Sequence, residues 1–120
     1  MYAIEISKKK IPYLTQISIK DNIFYINFRW NSYDNRIYMD LLDVNKNILV
    51  EDEPIVLGQI LFARYYIDDA GNMNDKFPKA LIVANFNDGN DLSNITFDNI
   101  ENVSLYINEV DIWILWDGHP

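Results

Sequence analysis

The residue types that most often carry chemistry are scarce in this chain, and their spacing argues against a reaction. There is one histidine, His119, and no cysteine in 120 residues. Thiol catalysis, thiolate metal sites and disulfides are therefore excluded, and a histidine-based triad has no histidine inside the fold to work with. Asp43, Asn45 and Asn47 have the spacing with which a calcium loop opens. Ile48 stands where that loop needs glycine, however, and Pro54 where it needs the bidentate glutamate, so turn chemistry explains the three better. Glu51, Asp52 and Glu53 are adjacent and lead into Pro54, which reads as a solvated edge rather than as two carboxylates with separated environments. No glycine-rich phosphate loop is present. Asn94-Ile95-Thr96 and Asn102-Val103-Ser104 match the glycosylation pattern, but no secretion signal accompanies them. These residues predict neither an enzyme nor a cofactor or metal site.

The remaining chemistry is adhesive. Trp113 and Trp116, with Ile112 beside them, lie in an apolar run near the end of the sequence. Tryptophan is enriched where interfaces carry their binding energy, so these three are candidate partner contacts. The competing reading makes the same run a last strand that completes the chain's own core. Tyr65 and Tyr66, at the base of a polar stretch, are further candidates for a protein partner or a sugar. Trp30 ends an alternating strand and is expected in the core.

Aromatic residues make up 14% of the chain, and the 49% hydrophobic and 23% charged fractions suit a folded domain. At 120 residues one domain can bury a sufficient core without metal or disulfide. The formal net charge is -8, and the only basic run is Lys8-Lys9-Lys10. Binding to nucleic acid needs a basic stripe, so no direct nucleic-acid contact is expected. Neither an apolar leader nor a run of ~18 apolar residues occurs, which predicts synthesis in the cytoplasm and no membrane partner.

Residues of these types must be positioned by strands. Phe24, Ile26, Phe28 and Trp30 alternate with Tyr25, Asn27 and Arg29, the period of a strand. The polar turn Asn31-Ser32-Tyr33-Asp34-Asn35 follows, and Ile37, Met39 and Leu41 then alternate with Tyr38, Asp40 and Leu42. Upstream, Thr15, Ile17 and Ile19 share a face and Asp21-Asn22 makes a tight turn. Downstream, Asp43 to Asn47 turns into Ile48-Leu49-Val50. The first half thus reads as a four-stranded meander, which the carboxylates and Pro54 end. Ile55 to Phe62 reads as two short extended pieces kinked at Gly58, and Ile67 to Lys79 as a long loop. Ala80 to Phe86 reads as a strand buried on both faces. Thr96 to Ile100 offers one helical turn, and Val103, Leu105 and Ile107 a last regular strand. The fold class is all-β: a small antiparallel β-barrel or sandwich. Residues 1–12 form an arm or edge strand, 13–109 a single β domain, and 110–120 an apolar tail or last strand.

Five stretches occur in an order that resembles a known family. They are Phe24-Tyr25-Ile26-Asn27-Phe28-Arg29-Trp30-Asn31, Arg36-Ile37-Tyr38-Met39-Asp40-Leu41-Leu42-Asp43, Pro54-Ile55-Val56-Leu57-Gly58, Ala80-Leu81-Ile82-Val83-Ala84-Asn85 and Val103-Ser104-Leu105-Tyr106. Over roughly residues 15–108 the chain is similar to the baseplate hub plug proteins of contractile-tailed bacteriophages, a family first named for a cyanophage. The resemblance implies a structural virion protein at the hub of the tail baseplate, filling or closing the lumen above the spike. Its partners would be hub proteins, with the spike and the tape measure protein as further neighbours, in a threefold assembly. It implies no catalytic residues. The chain departs from the family between Asp68 and Lys79 and beyond Glu109. A carbohydrate- or ligand-binding β module using aromatics of the Tyr65 to Lys79 region is the alternative. The same structural role in a phage-derived particle is another.

Overall fold

A computed structural model describes residues 2–65, 74, 76–89 and 91–109. Seven strands carry it: β1 (Tyr2–Glu5), β2 (Tyr13–Ile19), β3 (Asn22–Asn31), β4 (Arg36–Leu42), β5 (Ile48–Pro54), β6 (Ala80–Phe86) and β7 (Val103–Glu109). One sheet is the meander β2-β3-β4-β5 and the other has the order β1-β7-β6, all pairs antiparallel. Among the described residues no continuous ladder joins the two sheets into a closed barrel, and the architecture is that of a sandwich. The only helical pieces there are 3-10 turns at Lys8–Lys10, Ala63–Tyr65 and Ile100–Asn102.

The alternation of residue types decides which face each strand buries. Phe24, Ile26 and Phe28 of β3 meet Ile37, Met39 and Leu41 of β4, with Ile17 and Ile19 of β2 on the same face. The second sheet answers with Ile82, Ala84 and Phe86 of β6 and Val103, Leu105 and Ile107 of β7. Burial of this apolar surface, at roughly 25 cal/mol per Å², is the main driving force for the fold. β6 is buried on one face only: Leu81 and Val83 are half-covered and Asn85 is exposed. An antiparallel sheet in a two-layer sandwich keeps its outer face toward water, and the apolar run at Ala80 to Phe86 does not change that.

The two sheets are tied at both sides. Beyond β5, Leu57 bridges Ala84 in parallel and Ile60 bridges Val83 antiparallel, so the chain reverses between them. Gly58, at φ 71°, makes the reversal, and the Gln59 amide donates to the Val56 carbonyl across it. That is a type II turn, whose third position favours glycine because a side chain clashes there. The amides of Gly58 and Leu61 donate to the carbonyls of Ala84 and Ile82, at 3.0 and 2.8 Å, and so cover the outer edge of β6. On the other side the Tyr2 hydroxyl donates to the Ser18 carbonyl at 2.6 Å, which links β1 to β2.

β5 does not stop at the carboxylates but runs through Pro54. Met39 pairs with Glu53 and Leu41 with Val50, so Glu51 and Asp52 together oppose Asp40. This is a β-bulge, with Asp52 in the left-handed region at φ 61°. Glu53 is not solvated either: its carboxylate turns inward, 13% exposed, and accepts the Phe62 amide at 2.7 Å. The three acids therefore have different jobs, and only Glu51 and Asp52 face water.

Candidate functional site

Of the residues proposed from sequence as partner contacts, Tyr66, Ile112, Trp113 and Trp116 lie outside the described residues. Tyr65 is described, and it is half-buried. Its ring stacks on Phe77 with centroids 6.0 Å apart, and the Arg64 guanidinium lies 4.9 Å from its centroid. Its carbonyl accepts from Asn74 Nδ2 at 3.3 Å. Tyr65 thus fastens the 3-10 turn that follows β5 onto Phe77, and much of its ring is committed to this packing.

Three surface features stand out among the described residues. The first is aromatic and lies at the β3–β4 turn. Trp30 is 47% exposed rather than buried, because β3 has there run past the layer that covers its core face. Its indole stacks on Phe97 at 4.6 Å, and Lys8 Nζ lies 5.0 Å above the Phe97 ring. The Trp30 Nε1–H donates to Asn35 Oδ1 at 3.0 Å, and Asn35 in turn donates to Asp98 at 2.8 Å. Tyr33 at the turn's tip is fully exposed. A stacked, hydrogen-bonded indole is a rigid contact surface of the kind that interfaces use.

The second feature is polar and lies on the outer face of the meander. Asp40 accepts four hydrogen bonds: from Asn27 Nδ2 at 3.1 Å, from Arg29 Nε and Nη2 at 2.8 and 2.9 Å, and from the Asp52 amide at 3.1 Å. Arg29 also donates to the Asp52 carboxylate. Burial pushes the Asp40 carboxyl upward, but the Arg29 guanidinium, the Asp52 amide and Asn27 outweigh it and hold the group below the ordinary carboxylate range. The Arg29 pKa is raised by Asp40 first and by Asp52 next. The network pins the bulge, and so fixes the shape of an edge that could otherwise pair with a neighbouring sheet.

A test follows from the direction of the Asp40 shift. Its stabilising contribution is complete above the unfolded value of about 3.9 and fades as pH falls through the lower folded value. Asp40→Asn should cost about 1–2 kcal/mol at pH 7, given one lost charge and two weakened bonds. Between about pH 4 and pH 2 the variant should lose less stability than the parent. Urea melts across that range check it, and parallel curves would show that Asp40 carries no such load.

The third feature is a groove of about 420 Å³ at the opposite end of the sandwich from Trp30, lined in part by Lys20, Ile23, Phe24, Val44, Phe77 and Lys79. Nearby, the Asp43 carboxylate accepts the amides of Asn45 and Asn47, both at 2.9 Å, and Asn47 Nδ2. That is turn chemistry, and among the described residues no cluster of three or more His, Cys, Asp or Glu could hold a metal ion.

Sequence reasoning missed the Trp30–Phe97 stack and the Asp40 network for different reasons. The stack joins residues far apart in the chain, and no local pattern announces it. The network could have been found by counting back from the hairpin turn: Asn31 opposite Arg36 puts Asn27 opposite Asp40 and Arg29 diagonal to it.

A tied two-sheet body, in which no buried side-chain polar atom among the described residues lacks a hydrogen-bond partner, defines a β-sandwich domain. A family model described as the cyanophage baseplate Pam3 plug gp18 matches residues 1–110, and the chain belongs to that family. Its role is accordingly a structural one in a phage tail baseplate, in association with other baseplate components. A comparison with curated proteins gave no match.

Proposed function

We propose that this protein plugs or lines the central hub of a contractile-tail baseplate above the spike and contributes to assembly of the tail. Membership of the baseplate plug family carries the reading. The body supports it physically, because a plug has to keep its shape under load. Sheet edges here are occupied by the segment from Leu57 to Leu61, by the Asp52 bulge and by the Tyr2–Ser18 bond, so contacts with neighbours fall to side chains rather than to open strands. Hub proteins are the partners, with the spike below and the tape measure protein above, in a threefold arrangement. Trp113, Trp116 and Ile112, together with Tyr65 and Tyr66, supply the contacts.

The acidic balance suits this position. At a formal charge of -8 the surface repels passing DNA instead of retaining it. Electron microscopy of extended tails carrying a small tag before Tyr2 tests the assignment. Tag density on the tail axis directly above the spike, in three copies, is the expected result. Density at the baseplate periphery would remove the hub assignment while leaving the structural role intact.

A further inference from the structure

Between the stacked Trp30 and the Asp40 network lies a pocket of about 290 Å³, lined by Arg29, Trp30, Asn31, Tyr38 and Asp52. Its walls are already held. Phe97 stacks on one face of the indole and Asn35 fixes the Nε1–H, while 47% of Trp30 stays exposed. The Tyr38 hydroxyl donates to Asp34, and Arg29 is gripped by Asp40 and Asp52. Side chains that are fixed beforehand lose little freedom when a ligand arrives.

The hydrogen bonds left unmade define the ligand. Arg29 commits Nε and Nη2 to the two carboxylates, and among the described residues its Nη1 has no acceptor. Asn31 Oδ1 accepts the Tyr33 amide, while among the same residues its Nδ2 has no partner. On the acceptor side, Arg29 takes one oxygen of the Asp52 carboxylate, whose side chain is 63% exposed, and the Tyr38 oxygen keeps a lone pair. Donors and acceptors therefore stand together beside an aromatic ring. The charges disfavour an ion of either sign: Arg29 and Arg36 oppose a cation, and Asp34, Asp40 and Asp52 oppose an anion. A pyranose with equatorial hydroxyls meets these conditions without charge. Its axial C–H bonds form an apolar face that can lie on an indole, and its vicinal hydroxyls both donate and accept at the rim. We infer that this pocket binds a neutral β-linked saccharide, with the ring against Trp30 and the hydroxyls on Arg29 Nη1, Asn31 and Asp52. The volume lies at the low end of the roughly 300–1,000 Å³ of small-molecule sites, which suits one or two rings. The inference goes beyond the baseplate role and does not depend on the hub position.

Titration of the full chain with neutral cello- and chito-oligosaccharides tests it, followed by proton–nitrogen correlation spectra. The Trp30 indole N–H is identified by its disappearance in Trp30→Phe. At least one of the two sugars should shift that resonance, with a Kd of about millimolar for a single engaged ring. By calorimetry, Trp30→Ala should weaken binding about tenfold and Asn31→Ala about threefold, with a cooperative melt retained. Oligosaccharides of glucuronate should bind more weakly than the neutral sugars. No shift with either neutral sugar would overturn the inference, as would an affinity unchanged by Trp30→Ala or a preference for the uronate. A neutral peptide rich in asparagine and glutamine that bound more tightly than both sugars would give the pocket to a protein segment instead, and would overturn it too. Should Trp30→Ala lose its cooperative melt, Asn31→Ala decides, because that side chain is at the exposed end of β3 and an unchanged affinity there is equally fatal.

Discussion

Phe62→Ala is expected to cost about 3–5 kcal/mol, the largest single-site loss in the described body. Phe62 is fully buried and is among the bulkiest side chains in the core. It sits where the chain leaves β5, has crossed to the edge of β6, and turns toward Tyr65, so its ring fills the seam between the sheets. Domains of this size have about 5–15 kcal/mol to lose in total, and the variant should melt roughly 10–20 °C lower. Its backbone supplies a sharper test. Phe62 has φ 63°, a region where a side chain is unfavourable. Glycine has no such penalty, so Phe62→Gly should be as stable as Phe62→Ala or better by up to about 1 kcal/mol, reversing the usual order of those two residues. The fully exposed Tyr33, changed to alanine, should shift stability by less than about 0.5 kcal/mol. If Phe62→Ala lost under about 1 kcal/mol, the seam would not hold the sheets together in this way.

Strand identity was legible because period two is a local property. From Ile23 to Leu42 the apolar face, the turn and the register all follow from spacing, and Phe24, Ile26, Phe28, Ile37, Met39 and Leu41 are buried as the alternation requires. The Gly58 kink was legible for a similar reason, since glycine between β-branched and aliphatic residues marks a reversal. Fates decided by neighbours distant in sequence were not legible. Trp30 continues the core alternation of β3 but reaches past the cover supplied by the second sheet, and meets Phe97 instead. Glu53 was read with Glu51 and Asp52 as one solvated run. The bulge at Asp52 rotates the strand, and only then does Glu53 reach the Phe62 amide. β6 looked buried on both sides because Leu81 and Val83 are apolar, yet its outer face is simply half-covered.

The contact surfaces divide along the same line. Aromatic type singled out Tyr65, but type alone could not show that Phe77 and Arg64 already occupy its ring. Conversely, Lys20, Lys76 and Lys79 lie in separate stretches of sequence and look like ordinary solvated charges. Only the approach of the two turns to the start of β6 gathers them around one apolar floor. Charge clusters built by topology, unlike those built by a run of like residues, leave no trace in the linear pattern.

Ending the chain after Glu109 should leave a folded body that no longer enters tails. Glu109 is the last residue of β7 and keeps its partner Ala80, so every strand pairing among the described residues is kept. A cooperative melt is expected, with the midpoint within a few degrees of the parent's. Incorporation should fall on the order of a hundredfold, since buried interface tryptophans are commonly worth 2 kcal/mol or more each and two are removed. Trp113→Ala with Trp116→Ala should reproduce most of that loss in the full-length chain. Normal incorporation of the shortened chain would refute the segment as the baseplate contact.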